Sequence, residues 1–380
     1  MLVVTHPTVN AFVRALVEAL DRSERLAAFH TTLAFGRRSI ALDRRRLVLH
    51  PCREVVRLGL RRLGLRGLGP WSVDAVYAAL DRAAARSLDG ASGVYAYEDG
   101  ALATFRAARA RGLPRFYELP IAYFETVQRI LREEAERLPP WAPTLGAPDD
   151  SPAKLARKAE ECALASLVIC PSAFVQSSLP PGLPSIVAEF GSPAPPAALA
   201  PFRASGPLRL LFAGAMSQRK GLADLFAALR LLNRPDIELV VMGAPIAPME
   251  FYRRDYPNFR HEPPRPHAQV LALMETCDLL VLPSLVEGRA LVQQEALSRG
   301  LPLIVTPNAG GGDLILPGVT GWLIPPRDPP ALAERLAELA DHRAALEPMR
   351  AAAQRQAASL SWSRYAAKII AAIDAISPLS

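Results

Sequence analysis

Two carboxylates with seven residues between them, Glu287 and Glu295, stand in the stretch Glu287-Gly288-Arg289-Ala290-Leu291-Val292-Gln293-Gln294-Glu295. Carboxylates accept protons from hydroxyl groups, and unpaired amides at a helix start attract anions. An apolar run, Leu279 to Leu282, ends at Pro283-Ser284 just before the stretch. A second, Leu303 to Thr306, follows the stop at Gly300. Strand, acidic turn, helix, glycine stop and strand make a βαβ unit. Ligands of such sheets gather where loops leave the carboxyl ends of strands. Glu287 falls in that loop. The pattern puts Glu295 two turns into the following helix, roughly 12 Å along its axis. Joint attack on one atom is excluded, and the two ends of one elongated ligand fit.

A second cluster carries positive charge. Gly214-Ala215-Met216-Ser217-Gln218-Arg219-Lys220-Gly221 follows the apolar run Leu208 to Ala213 and precedes a helical run. Arginine can fork two phosphate oxygens, and lysine supplies a compact charge. The chain has 40 arginines and four lysines, so a lysine at this turn is less expected as filler. The residues alone suit either an anion site or a loop with two exposed cations.

Alternating strands and helices must position these groups. Strands are predicted at Leu2–Thr5, Gly93–Tyr97, Phe116–Leu119 and Ser166–Cys170, with helices from Ala11, Val73, Ala101 and Tyr123. The Pro-rich patch Leu138 to Pro152 reads as a long loop. A linker rich in Pro, Ala, Gly and Ser begins at Gly191, after which the alternation restarts at Leu208. The expectation is an α/β chain of two Rossmann-like, doubly wound parallel-sheet domains facing across a cleft, residues 1–195 and 196–360. That architecture also suits epimerases and binding proteins, so it does not assign a function.

Composition narrows the class. Hydrophobic content of 50% with 21% charged residues fits a soluble globular enzyme rather than a disordered chain. The four cysteines form no close pair, so neither a zinc site nor a disulfide framework is expected. The first residues lack the basic start and apolar run of a signal peptide, and no run approaches the roughly 20 apolar residues of a membrane span. A cytoplasmic location follows as the expectation. The net charge of +7 is concentrated between Arg37 and Arg66, where ten arginines face only Asp43 and Glu54. Arg53, Arg57 and Arg61 recur every four residues, with Val56, Leu60 and Leu63 on another face. A basic amphipathic segment suits an anionic membrane surface on the inner face of the cell membrane, or simply a solvated face. Nucleic acid is not expected, because the segment lacks aromatics and any nucleic-acid motif.

Pro283-Ser284-x-x-Glu287-Gly288 through Glu295-Ala296 resembles the Glu-x7-Glu signature of the retaining family-4 glycosyltransferases, which have the GT-B fold. The resemblance is clear over about Leu208 to Ala340 and diffuse before that. It implies a nucleoside-diphosphate sugar as donor, with Glu287 beside the transferred sugar and Glu295 on the ribose hydroxyls. It also implies donor contacts from Gly288 and from the amides of Ala290 and Leu291. Gly214, Arg219 and Lys220 match the family's diphosphate segment, except that Ala215 stands where an arginine is usual. Arg289 is an added charge, read as either an anion contact or a solvent-facing side chain. Gly310-Gly311-Gly312-Asp313 resembles a further family loop. Residues 361–380 resemble the terminal helix that crosses back to the first domain. Glu118 stands where relatives often carry a sugar-contacting histidine, and suits either a sugar contact, an acceptor base or a buried role. His6 and Asn10 are acceptor-side candidates, while His261 and His267 read as ordinary loop residues. No metal and no cofactor are expected, and no covalent nucleophile is singled out. The implied function is transfer of a sugar to a saccharide or lipid-linked hydroxyl acceptor in polysaccharide, glycolipid or other glycoconjugate synthesis. A sugar-nucleotide epimerase and a non-catalytic scaffold are the alternatives.

Overall fold

The computed structural model describes residues 1–36, 39–65, 72–146 and 150–377. Among these residues, two parallel sheets carry the fold. The first has seven strands: β1 (Leu2–Thr5), β2 (Leu26–Thr31), β3 (Leu47–Leu49), β4 (Gly93–Tyr97), β5 (Arg115–Glu118), β6 (Leu167–Cys170) and β7 (Ser185–Val187). Their spatial order is β3-β2-β1-β4-β5-β6-β7. The second has six: β8 (Leu208–Ala213), β9 (Ile237–Met242), β10 (Phe259–Glu262), β11 (Leu279–Leu282), β12 (Leu303–Val305) and β13 (Gly321–Leu323). They run β10-β9-β8-β11-β12-β13. In each sheet the order reverses beside the first strand, at β1/β4 and at β8/β11, where a doubly wound sheet opens a crevice. The unbroken apolar run of β11 is buried throughout, as a strand covered on both faces requires. Helix Ala11–Arg22 turns Phe12, Val13, Leu16, Val17 and Leu20 inward, and Asn10 caps it by accepting from the Val13 amide at 3.1 Å.

Several local expectations change. Strand β2 contains Leu26-Ala27-Ala28, which lacks the β-branched signal of a strand, and β3 lies inside the arginine-rich segment. The patch from Leu138 is not one long loop. A 3-10 turn, Pro139–Thr144, drives Trp141 into the core of the second domain, and helix Pro152–Leu164 begins on a Ser151 cap. Trp141 meets Phe226, Phe251 and Tyr252 edge-on, with ring centroids 5.9, 4.9 and 5.6 Å apart.

That insertion is one part of a clamp between the two halves. The fully buried Glu134 carboxylate, on helix Phe124–Arg137, accepts from Arg137 at 2.6 and 2.9 Å, from Arg327 at 2.9 Å and from Gln218 at 2.6 Å. Arg137 also reaches Asp224 at 2.6 Å, and Thr144 Oγ1 accepts from the Gln218 amide at 3.0 Å. Beside this network an apolar cluster joins Ile130 and Leu131 to Leu285 and Val286.

The C-terminal helix, Trp362–Ile376, lies on the first domain, where Arg25 forks onto Asp374 at 2.9 and 2.8 Å. Its Tyr365 hydroxyl donates to Glu118 at 3.2 Å, in a buried layer shared with Phe190. Burial pushes the Glu118 carboxyl up to about 7, offset in part by the hydroxyls of Tyr365 and Tyr95.

Two stability measurements test this packing. Glu134→Ala removes the one fully buried acceptor shared by Arg137, Arg327 and Gln218, leaving Arg137 only Asp224 and Arg327 only Glu133 as carboxylate partners, and should cost about 3 kcal/mol in urea unfolding. A cost near zero would mean that the network is not what joins the halves. Glu118 binds its proton more tightly in the folded state, so its contribution is full below the ordinary carboxyl range and is lost as pH rises through about 7. Between pH 5 and pH 8 the wild type should therefore lose about 2 kcal/mol relative to Glu118→Gln. Parallel pH profiles of the two proteins would refute the assignment.

Candidate active site

The loops that leave β8 and β11 at the second switch point converge. Residues Gln218–Lys220 form a single 3-10 turn, and the Arg219 carbonyl accepts from the Leu285 amide at 2.9 Å, stitching the two loops together. Lys220 Nζ donates to Glu287 Oε1 at 2.7 Å, and Arg219 Nη1 lies 3.3 Å from the same oxygen. Gly214 lets this happen. Its φ of +147° favours glycine, and a Cβ there would sit 2.6 Å from Lys220 Cδ. Gly214, Arg219, Lys220 and Glu287 thus form one partly buried cluster in which two cations share one carboxylate. One formal positive charge is left over for an anion.

The turn after Glu287 touches the first domain. Gly288 packs against the Pro120 carbonyl, at the end of β5, so closely that any Cβ would collide with it. Ser172 Oγ donates to the Gly288 carbonyl at 2.6 Å. Arg289 adopts neither expected role: its side chain is buried and forks onto Asp313 at 2.6 and 2.9 Å. The Ala290 amide already donates to the Ala309 carbonyl at 3.2 Å, so it is not a spare donor in this arrangement.

Glu295 occupies a different chamber. Helix Val292–Ser298 starts late, which puts Glu295 in its first turn rather than two turns in. It accepts from His267 Nε2 at 2.9 Å. The two line a cavity of about 330 Å³ with Leu291, Gly191 and Trp362. His267, read from sequence as an ordinary loop residue, starts helix His267–Met274, and its contact with Glu295 spans 28 residues, which no local pattern signals.

The first-domain candidates are engaged with partners other than the charged cluster. His6 is buried at the end of β1, with Nδ1 on the Thr8 backbone at 2.6 Å and Nε2 without a hydrogen-bond partner. Burial lowers its pKa to about 3, so it is neutral at physiological pH. Asn10 spends its side-chain oxygen on the helix cap. Glu118 takes the buried one of its possible roles, against Tyr365. His261 holds the Gly243 carbonyl at 2.9 Å.

Residues 207–342 match the sequence profile of the family described as Glycosyl transferases group 1. The glycogen synthase of Mycobacterium tuberculosis is 34% identical over 177 residues, covering 43% of this chain and 41% of that protein. The chain therefore aligns with about two fifths of that relative's length. Among solved structures, sucrose-phosphate synthase from Thermosynechococcus elongatus superposes with a TM-score of 0.70 at 16% identity, covering 99% of this chain and 98% of the other. Anabaena HepE in complex with UDP gives 0.62 at 16% identity, over 98% and 99%. The segment that holds Gly214, Lys220, Glu287 and Glu295 thus matches the group 1 glycosyl transferases, within a chain that has the GT-B fold.

Proposed function

We propose that this chain is a retaining glycosyltransferase of family 4 that moves a sugar from a nucleoside-diphosphate sugar to a hydroxyl of a saccharide or lipid-linked acceptor. The observation that carries the reading is the convergence of Arg219 and Lys220 on Glu287 across Gly214, with Glu295 in a separate cavity. The HepE neighbour holds UDP, a ligand of the same class. In this reading the donor diphosphate draws Lys220 and Arg219 from Glu287, and the ribose hydroxyls take the place of the His267 imidazole on Glu295. The bond between the sugar's anomeric carbon and the diphosphate oxygen breaks, and its electron pair goes to the diphosphate. The acceptor oxygen bonds to the same carbon, and its proton passes to the departing diphosphate oxygen. Fixed cations stabilise the charge growing on the leaving group, and the freed Glu287 carboxylate faces the positive charge developing on the sugar ring. The two cations supply the charge that a metal would otherwise bring, so no metal is assigned. Arg289 is left out of the donor contacts, because its guanidinium is committed to Asp313.

Donor hydrolysis over a panel of nucleotide sugars, with UDP calorimetry, tests the proposal on the full chain. Glu295→Gln should weaken UDP binding by about 1–3 kcal/mol. Glu287→Gln should lower turnover more than affinity, and the Arg219→Ala, Lys220→Ala double variant should abolish turnover. EDTA should leave activity intact. Normal turnover in the double variant, or no hydrolysis of any nucleotide sugar and no UDP binding, would overturn the reading.

We further infer that the protein works peripherally on the inner face of the cell membrane. Helix Pro51–Arg62 leaves Val55 and Val56 exposed, with Leu63 and Leu65 beyond its end at 76% and 51% exposure. Exposed Arg61 and Arg62 flank this apolar surface. Arg57, by contrast, is forked onto the buried Glu54 at 2.7 and 2.9 Å, and Arg46 pairs with Asp21. Arg37, Arg38 and Arg66 lie outside the described residues. No helix of the described residues is long and apolar enough to cross a membrane. Apolar side chains beside arginines suit the boundary of an anionic bilayer, where each cation adds about 1 kcal/mol. The protein should sediment with phosphatidylserine-containing vesicles and not with phosphatidylcholine vesicles, and 0.5 M salt should release most of it. Changing Arg61 and Arg62 to Gln with Leu63→Ser should reduce sedimentation about tenfold. Equal sedimentation with both lipids, or an unaffected variant, would leave a solvated face.

A further inference from the structure

A second polar cavity, of about 510 Å³, opens at the carboxyl ends of β4 and β5 in the first domain. It is built from side chains unlike those of the donor corner. Asp74, Glu98 and Asp99 contribute three carboxylates, and the rings of Tyr77 and Tyr97 supply flat apolar faces. Among the described residues, Lys154 is the one cation that lines it. That lysine is already shared: Asp150 lies 2.9 Å from its Nζ, Asp74 3.4 Å and Asp99 3.6 Å. The cations behind the wall are engaged as well. Arg157 holds Asp99 at 2.9 Å, and Lys158 lies 3.3 Å from both Glu98 and Asp150.

The cavity's position ties it to the reaction. Pro120 lines it, and the Pro120 carbonyl is the atom against which Gly288 packs, one residue from Glu287. A molecule seated here therefore lies across that contact from the donor corner. Its chemistry is selective. Carboxylates and a tyrosine hydroxyl bond sugar hydroxyls, and aromatic faces cover the C–H faces of a sugar ring. Among the described residues, a phosphate or carboxylate would meet the Asp74 and Asp99 carboxylates and a Glu98 whose carboxyl burial pushes up to about 7, beside cations already paired with acids, and like-charge contacts of this kind work against the wrong partner.

Resting on the transferase reading, we propose that this cavity seats the acceptor and selects an uncharged, polyhydroxylated group, a free sugar residue, over a sugar phosphate. Asp74 acts as a specificity residue in this scheme. It is half-exposed at the start of helix Val73–Ala84, so replacing it tests charge without opening the core.

Two measurements on the full chain decide it. Saturation-transfer NMR, which needs no donor, compares glucose, galactose and mannose with their 6-phosphates. Nucleotide-sugar turnover, followed as nucleoside diphosphate released above the rate in water, compares the same pairs. At least one free sugar should bind and raise release, with its 6-phosphate at least tenfold less effective. In Asp74→Lys the ratio of phosphate to free-sugar response should rise at least fivefold, and in Asp74→Asn by less. Sugar phosphates as effective as the free sugars, no response to any free sugar, or an unchanged ratio in Asp74→Lys would each overturn the proposal. Free-sugar binding without hydrolysis of any nucleotide sugar would instead leave the cavity's selectivity standing and overturn the donor reading.

Discussion

The Glu134 carboxylate is the constraint on which the arrangement depends. It is wholly buried, belongs to the first half of the chain, and is satisfied half by Arg137 of its own helix and half by Arg327 and Gln218 of the second, with Arg137 reaching on to Asp224. A buried charge of this kind is tolerable only when every lone pair is met, so the network admits few placements of one half against the other. Gln218 also begins the turn that presents Arg219 and Lys220. The bond that joins the halves and the backbone that aims the cations are thus adjacent in sequence, and the position of the charged corner follows from the position of the clamp.

The two ends of the site are built on different physics. At the charged corner, guanidinium and ammonium share one carboxylate, so the groups are held partly desolvated with one positive charge in excess. Glu295 is held similarly by His267. At β4 and β5 the acids outnumber the cations among the described residues of the cavity wall. A diphosphate and a neutral sugar would each find the environment suited to its own charge, and the same contrast disfavours their exchange.

Much of the charged corner and the turn after it could be read from sequence because their signals are local. An apolar strand ending in Pro283-Ser284, a carboxylate three residues on and a glycine before a helix are consecutive, and Gly214 and Lys220 lie within one loop. The β8/β11 reversal that brings the two loops together follows from the alternation of strands and helices. What escaped depends on distant pairing. Arg289 finds Asp313 24 residues later, Glu295 meets a histidine 28 residues earlier, and Trp141 leaves a Pro-rich stretch to join the other domain's core. Strand β2 escaped for another reason: its alanines carry no strand preference, and only the parallel pairing with β1 holds them extended. The exposed side of the arginine-rich helix was visible as spacing, but not which arginines a buried glutamate would claim.

The contact of Gly288 with Pro120 has a mechanical meaning. At that point bare backbone meets bare backbone, with no side chain to compress, so the two bodies cannot approach further there. With the Glu134 network and the cluster of Ile130, Leu131, Leu285 and Val286 holding the rest of the seam, the contact acts as a stop that sets the spacing between the charged corner and the acidic cavity. A single methyl group at Gly288 would force that spacing open, because a Cβ there would collide with the Pro120 carbonyl oxygen.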